Sequence, residues 1–102
     1  MEFLKNELNT LHISEMQYNR GIQLISQLNH WDLLLNSDIY EGEEGLCFSW
    51  SFVGAMCEIL DNKVELYIGK GEGENIADYR TILYEFDTME EFFVGLKGVL
   101  IR

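Results

Sequence analysis

Basic residues are scarce in this sequence. Seven Lys and Arg residues stand against 18 Asp and Glu residues, which gives a formal net charge of −11, and no Lys or Arg occurs between Arg20 and Lys63. A field of this sign repels phosphate groups, which argues against direct binding to nucleic acid or anionic lipid. It favours a basic protein partner, or serves only to keep the protein soluble.

Long apolar segments and cysteine-rich patterns are also lacking. No apolar run approaches the roughly 20 residues that a membrane-spanning helix needs. The N-terminal segment has neither the basic nor the apolar region of a secretory signal. We therefore expect a cytoplasmic protein that is not bound to a membrane. Its two cysteines, Cys47 and Cys57, are then predicted to be reduced, buried thiols.

The composition that remains is typical of a folded domain. The chain has 102 residues, of which 47% are hydrophobic and 13% aromatic, too apolar for a disordered protein. This length predicts a single domain, residues 1–102, built around one core.

Helical periodicity marks both ends of the chain. Residues 2–11 predict a short amphipathic helix. A second helix begins at a capping box formed by Ser14 and Gln17 and ends near His30, and Gly21 within it would allow a close approach to a sheet. The third is predicted to begin with Asp87 as the capping acceptor and to bury Phe92 and Leu96.

The middle of the chain alternates as strands do. The predicted strands cover residues 46–53, 55–60, 64–68 and 79–86, with a further strand beginning near Ile39. In the first of these, Leu46, Phe48, Trp50 and Phe52 would share the core face. Gly54 is a turn or a bulge in a longer bent strand. Asp61 and Asn62 suit a two-residue hairpin turn because both tolerate positive φ.

These elements predict an α+β fold: two N-terminal helices, a mostly antiparallel sheet of three to five strands, and a C-terminal helix packed on one sheet face. Residues 33–35, three leucines in a row, fit a helix or a strand equally well.

No catalytic, cofactor or metal site is expected. The glycine-rich segment 69–75 carries two glutamates that would repel a phosphate, and no helix follows it. The acids of residues 38–44 lack the order of a calcium-binding loop. Neither cysteine lies in a catalytic context with His12 or His30. The sequence therefore predicts a protein that is not an enzyme.

The acidic surface is the remaining candidate site. If residues 38–45 and 70–78 lie at one end of the sheet, their carboxylates would form a patch that attracts a basic partner, with tyrosines as amphipathic contacts. The predicted partner-binding residues are Asp38, Tyr40, Glu41, Glu43, Glu44, Glu72, Glu74, Asp78 and Tyr79.

In size and charge, though in no motif, the chain is similar to phage anti-defence proteins, including anti-CRISPR proteins and anti-restriction DNA mimics, and to immunity proteins that neutralise nuclease toxins. This likeness implies an inhibitor that binds a nuclease or another basic, nucleic-acid-binding protein. The alternative is a structural or assembly module. Such a module would be a homodimer joined through a sheet edge or an exposed aromatic face, and the chain is expected to be a monomer or a homodimer.

Overall fold

A computed structural model describes residues 2–69 and 80–101 of the chain. The predicted α+β fold is confirmed: two N-terminal helices, a five-stranded antiparallel sheet and a C-terminal helix that packs on the sheet. The helices are α1 (Glu2–Leu8), α2 (Glu15–His30) and α3 (Met89–Leu100). The strands are β1 (Asp38–Glu41), β2 (Leu46–Trp50), β3 (Ala55–Ile59), β4 (Val64–Gly69) and β5 (Arg80–Phe86).

The sheet is a simple meander in which each strand pairs with the next, in the order β1-β2-β3-β4-β5. One face of it, here called the helix face, carries the core. Phe48, Trp50 and Cys57 on this face are fully buried and belong to one apolar cluster with residues of all three helices. The opposite, outer face carries the alternate residues of each strand.

Helix α2 begins as its sequence predicts. The Ser14 hydroxyl accepts a hydrogen bond from the Gln17 amide at 3.1 Å, and the Gln17 side chain accepts one from the Ser14 amide at 3.3 Å. Gly21 also has its predicted role, because a Cβ placed there would lie 2.6 Å from Leu46 Cδ2 of the sheet.

Helix α3 begins one residue later than predicted. Thr88, not Asp87, is the cap: its backbone is extended and its hydroxyl accepts from the Glu91 amide at 3.2 Å. Thr88 Oγ1 also lies 3.3 Å from Glu91 Oε1. Both residues have a glutamate three positions on, so that spacing does not separate them; the extended backbone of Thr88, directly before the first helical residue Met89, makes it the cap.

The strand predicted over residues 46–53 ends at Trp50. Residues Ser51–Val53 form a short 3-10 helix, and Gly54 follows with φ of 65°, its amide bonded to the Ser51 carbonyl. Phe52 is therefore half exposed and does not share the core face, which corrects the predicted alternation. Gly54 is a left-handed turn, as only glycine adopts readily, and not a bulge.

The three leucines at 33–35 form neither of the predicted elements. Leu34–Asn36 is a single turn of 3-10 helix, reached through Asp32 with φ of 60°. The hairpin turn at Asp61 and Asn62 does have two residues, since the Leu60 amide bonds to the Lys63 carbonyl at 2.9 Å. Neither of its residues adopts the expected positive φ.

Candidate functional site

The turn between β1 and β2 lies close against the sheet. The Gly42 amide donates to the Gly45 carbonyl at 2.8 Å, and the Glu44 amide donates to Glu58 Oε2 at 3.2 Å. A Cβ on Gly42 would lie 2.6 Å from Cys47 Sγ and 2.7 Å from that Glu58 oxygen. The two glycines thus let an acidic turn approach the sheet, while the Glu43 and Glu44 side chains stay exposed.

Glu41 is directed to the helix side of this turn. Its Oε1 accepts the His12 amide at 2.8 Å and lies 3.8 Å from the His12 ring Nδ1. The Gln17 side chain donates to the Glu44 carbonyl at 3.3 Å. Glu41 therefore connects the turn to the segment between α1 and α2.

Three glutamates stand side by side on the outer face. The strand register makes Glu58 the direct partner of Glu65, and Glu65 the direct partner of Glu85. Neighbouring strands are about 4.8 Å apart, so these like charges are near one another. Such pairing is destabilising by itself, because carboxylates directly opposite each other repel.

Lys63 offsets part of this repulsion. Its Nζ donates to Glu85 Oε1 at 3.2 Å and lies 3.6 Å from Glu65 Oε2. The hydrogen bond to Glu85, with the charges of both carboxylates, raises the pKa of Lys63. The Tyr67 hydroxyl donates to Glu65 Oε1 at 3.2 Å. We call Glu43, Glu44, Glu58, Glu65 and Glu85 together the acidic surface.

A shallow pocket of about 450 Å³ lies where the turn meets the outer face. Its apolar and sulfur-bearing lining comes from Tyr40, Cys47 and Met56, and the Tyr40 hydroxyl lies 3.8 Å from Met56 Sδ. Glu43 and Glu58 supply carboxylates to it. Its lining thus combines aromatic and sulfur-containing side chains with negative charge.

Only some of the predicted site residues come together. Tyr40, Glu41, Glu43 and Glu44 lie at the pocket and the turn, whereas Asp38 begins β1 at the other end of the sheet. Gly69 and Arg80, which end β4 and begin β5, also lie at that other end. Glu72, Glu74, Asp78 and Tyr79 lie outside the described residues.

Sequence reasoning missed Glu58, Glu65 and Glu85 as members of one surface. A signal was present, because a two-residue turn at 61–62 fixes the pairing of the two flanking strands. That pairing places Glu58 opposite Glu65. The position of Glu85 depends on the register of β5, which no short turn determines.

The two cysteines are free and buried, as predicted. Cys57 lies on the helix face and Cys47, the register partner of Glu58, lies on the outer face. Because the sheet separates them, they cannot join in a disulfide without rearrangement. Burial raises the pKa of the Cys57 thiol well above its ordinary value.

Among residues 2–69 and 80–101, no group of three or more His, Cys, Asp or Glu side chains is arranged to hold a metal ion. No helix in the same part of the chain has the length and apolar character needed to cross a membrane. No protein-family model matches the chain, and no match was found among curated proteins or solved structures.

Proposed function

We propose that the protein is a stoichiometric inhibitor. It binds a basic, nucleic-acid-handling protein through the acidic surface and occupies the site where that protein takes nucleic acid. Carboxylates can stand in for phosphates in such a contact, and a surface of one sign speeds the encounter with a partner of the other.

The alignment of Glu58, Glu65 and Glu85 across three strands is the observation that carries this proposal. Repulsion within the row costs free energy in the isolated protein, and Lys63 is the base that contacts it in the described part of the chain. Cationic groups of a partner would relieve this repulsion. The free energy released when the repulsion is relieved would then contribute to binding.

The pocket beside the acidic turn supports a more specific contact. An arginine or lysine carries a long apolar stem that buries along apolar surface while its head stays with charges. The stem would lie against Tyr40 and Met56, and the cationic head would reach Glu43 and Glu58. Tyrosine and arginine are both enriched among the interface residues that contribute most to the free energy of binding.

The test reverses three exposed charges of the acidic surface, in the triple variant Glu43→Lys, Glu44→Lys and Glu85→Lys. A matched control reverses Glu7, Glu15 and Glu90, which lie on the helices. Both variants change the net charge from −11 to −5. Circular dichroism establishes that each remains folded.

Each protein is then used to capture partners from a cell lysate at low and at high salt. The proposal expects the wild type and the control to retain a basic protein at low salt, lose it at high salt, and release it to competing duplex DNA. The acidic-surface variant should retain none. Equal capture by both variants would contradict the proposal, as would a captured protein that still binds DNA while the inhibitor is attached.

A further inference from the structure

Among the strands that the structure describes, the last one lies at an edge of the sheet. Strand β5 pairs with β4 on one side, and no described strand pairs with its other side. Natural edge strands are usually short, bulged or charged, because a long apolar edge readily pairs with another chain. The opposite edge, β1, fits that rule with four residues, two of them acidic. Strand β5 has seven residues; its pairing with β4 is irregular at Arg80–Thr81 and regular from Ile82 onward, and residues 81–84 carry no charge.

Exposed apolar side chains occur on this strand and on α3 with its cap. Leu83 is 47% exposed on the outer face, Tyr84 is 46% exposed on the helix face, and Val94 of α3 is 77% exposed. Ile101 follows directly after α3 and is exposed as well. The last strand and the last helix with its cap thus hold four of the nine large hydrophobic residues described as exposed.

A groove of about 280 Å³ continues the edge beneath α3, and its lining is mostly apolar. Leu66, Tyr84 and Phe86 form its sheet side, and Gly95 and Val99 form its helix side. On the same helix, a Cβ at Gly98 would meet no atom within 4 Å. Because Gly98 follows Gly95 by three residues, it lies next to the groove on the helix surface, and we treat the edge, the groove and this side of α3 as one strip.

The occupant that this strip fits is a second copy of the chain. A specific interface buries about 800 Å² on each partner, roughly an eighth of the 6173 Å² that this chain exposes. An edge about 24 Å long, at about 3.4 Å per residue, is too narrow to bury that area alone. Helix α3 adds a length of about 18 Å beside it, so the strand and the helix together offer a wider surface than the edge alone.

Strand β5 is also compatible with pairing to itself. A two-fold axis at Leu83 places Leu83 opposite its own copy and Ile82 opposite Tyr84, so the regular part of the strand pairs no like charges across the junction. Because the axis stands perpendicular to the sheet, the outer faces of both copies remain on the same side. We propose that two copies of the chain associate through the β5 edge and α3, which makes one continuous ten-stranded sheet.

The experiment measures molar mass by light scattering after size exclusion, over a wide range of protein concentration and at low and high salt. The wild type is expected to approach twice the 11.9 kDa of one chain. Because both copies are acidic, added salt should leave this association unchanged or strengthen it. That response is opposite to the one expected for a basic partner, so the dimer can fail while the proposed function stands.

Leu83→Lys adds a charge to the edge and should weaken the association by about tenfold or more. The matched control is Phe52→Lys, since Phe52 is 51% exposed and lies outside the strip. The control should remain a dimer. A wild type with the mass of one chain at every concentration would overturn the proposal, and so would a Leu83→Lys variant that dimerises like the control.

Gly98→Gln is the second variant, in case Leu83→Lys does not fold. Its side chain enters open space in the single chain and improves helix propensity, so the monomer should fold normally. Across the junction the same side chain would separate the two helices. Loss of the dimer supports the proposal, and an unchanged mass overturns it.

Discussion

A buried hydrogen-bond relay joins the 3-10 turn after α2 to the end of strand β2. The indole Nε1 of Trp50 donates to Ser37 Oγ at 2.8 Å, and Ser37 Oγ donates to the Leu33 carbonyl at 3.0 Å. Trp50 and Ser37 are both buried. We predict that Ser37→Ala destabilises the protein strongly, although it removes only one oxygen atom.

The expected cost follows from the groups that lose their partner. A buried donor left unsatisfied costs about 1–3 kcal/mol, and the indole N–H would be left so by this change. The Leu33 carbonyl loses a donor as well, which brings the expected total to about 2–3 kcal/mol. In a domain of this size each kcal/mol lowers Tm by about 4–8 °C, so the midpoint should fall by about 10–20 °C.

The assay is denaturant unfolding followed by fluorescence of the two tryptophans, Trp31 and Trp50. Ser51→Ala is the matched control, because Ser51 is exposed and the chemical change is the same. In a Trp50→Phe background the indole donor is absent, and Ser37→Ala should then cost less than in the wild type. A Ser37→Ala variant as stable as the Ser51→Ala control would refute the reasoning.

Two further predictions concern packing and pH. Gly21→Ala gains about 1 kcal/mol of helix propensity but places its Cβ 2.6 Å from Leu46 Cδ2 and 3.3 Å from Leu8 Cδ1. Overpacking of about 1–3 kcal/mol should make it less stable than Gly98→Ala, which has open space, and equal stabilities by denaturant titration would show the contact to be unimportant. The raised pKa of Cys57 keeps its thiol protonated in the fold while the unfolded chain ionises, so stability should decline from about pH 8.5 upward by up to ~1.4 kcal/mol per pH unit. Cys57→Ala should flatten that decline, whatever its effect at neutral pH, and an identical slope in the variant would contradict the assignment.

Local chemistry explains why much of the fold could be predicted. The cap at Ser14, the apolar stripe of α3 and the alternation of β4 depend on residues a few positions apart, which the sequence displays directly. The failures depend on distant contacts. Ser37 bonds across the fold to Trp50, so the leucines before it form a 3-10 turn that no local periodicity could reveal.

The predicted location of the acidic residues depended on whether Gly54 is a turn or a bulge. If Gly54 were a bulge in one long strand, the turn at 42–45 and the end of β4 would lie at the same end of the sheet. As a left-handed turn, it adds one reversal of the chain, which places the last residue of β4 and the first residue of β5 at the opposite end. Three glutamates of the acidic surface therefore lie within strands. In the sequence they are visible only as residues that alternate along separate strands.

Strand β5 is involved in both proposals, and its geometry connects them. It presents Glu85 to the acidic surface and offers its free side as the edge for a second copy. A two-fold axis perpendicular to the sheet would place the acidic surfaces of both copies on one side, so a partner with two basic regions could be held at both. Linked sites of this kind bind more tightly than either alone without any new contact. If both proposals hold, Gly98→Gln should therefore weaken capture of the partner while leaving each acidic surface intact. Reversal of Glu43 and Glu44, which lie outside β5, should weaken capture and leave the dimer unchanged.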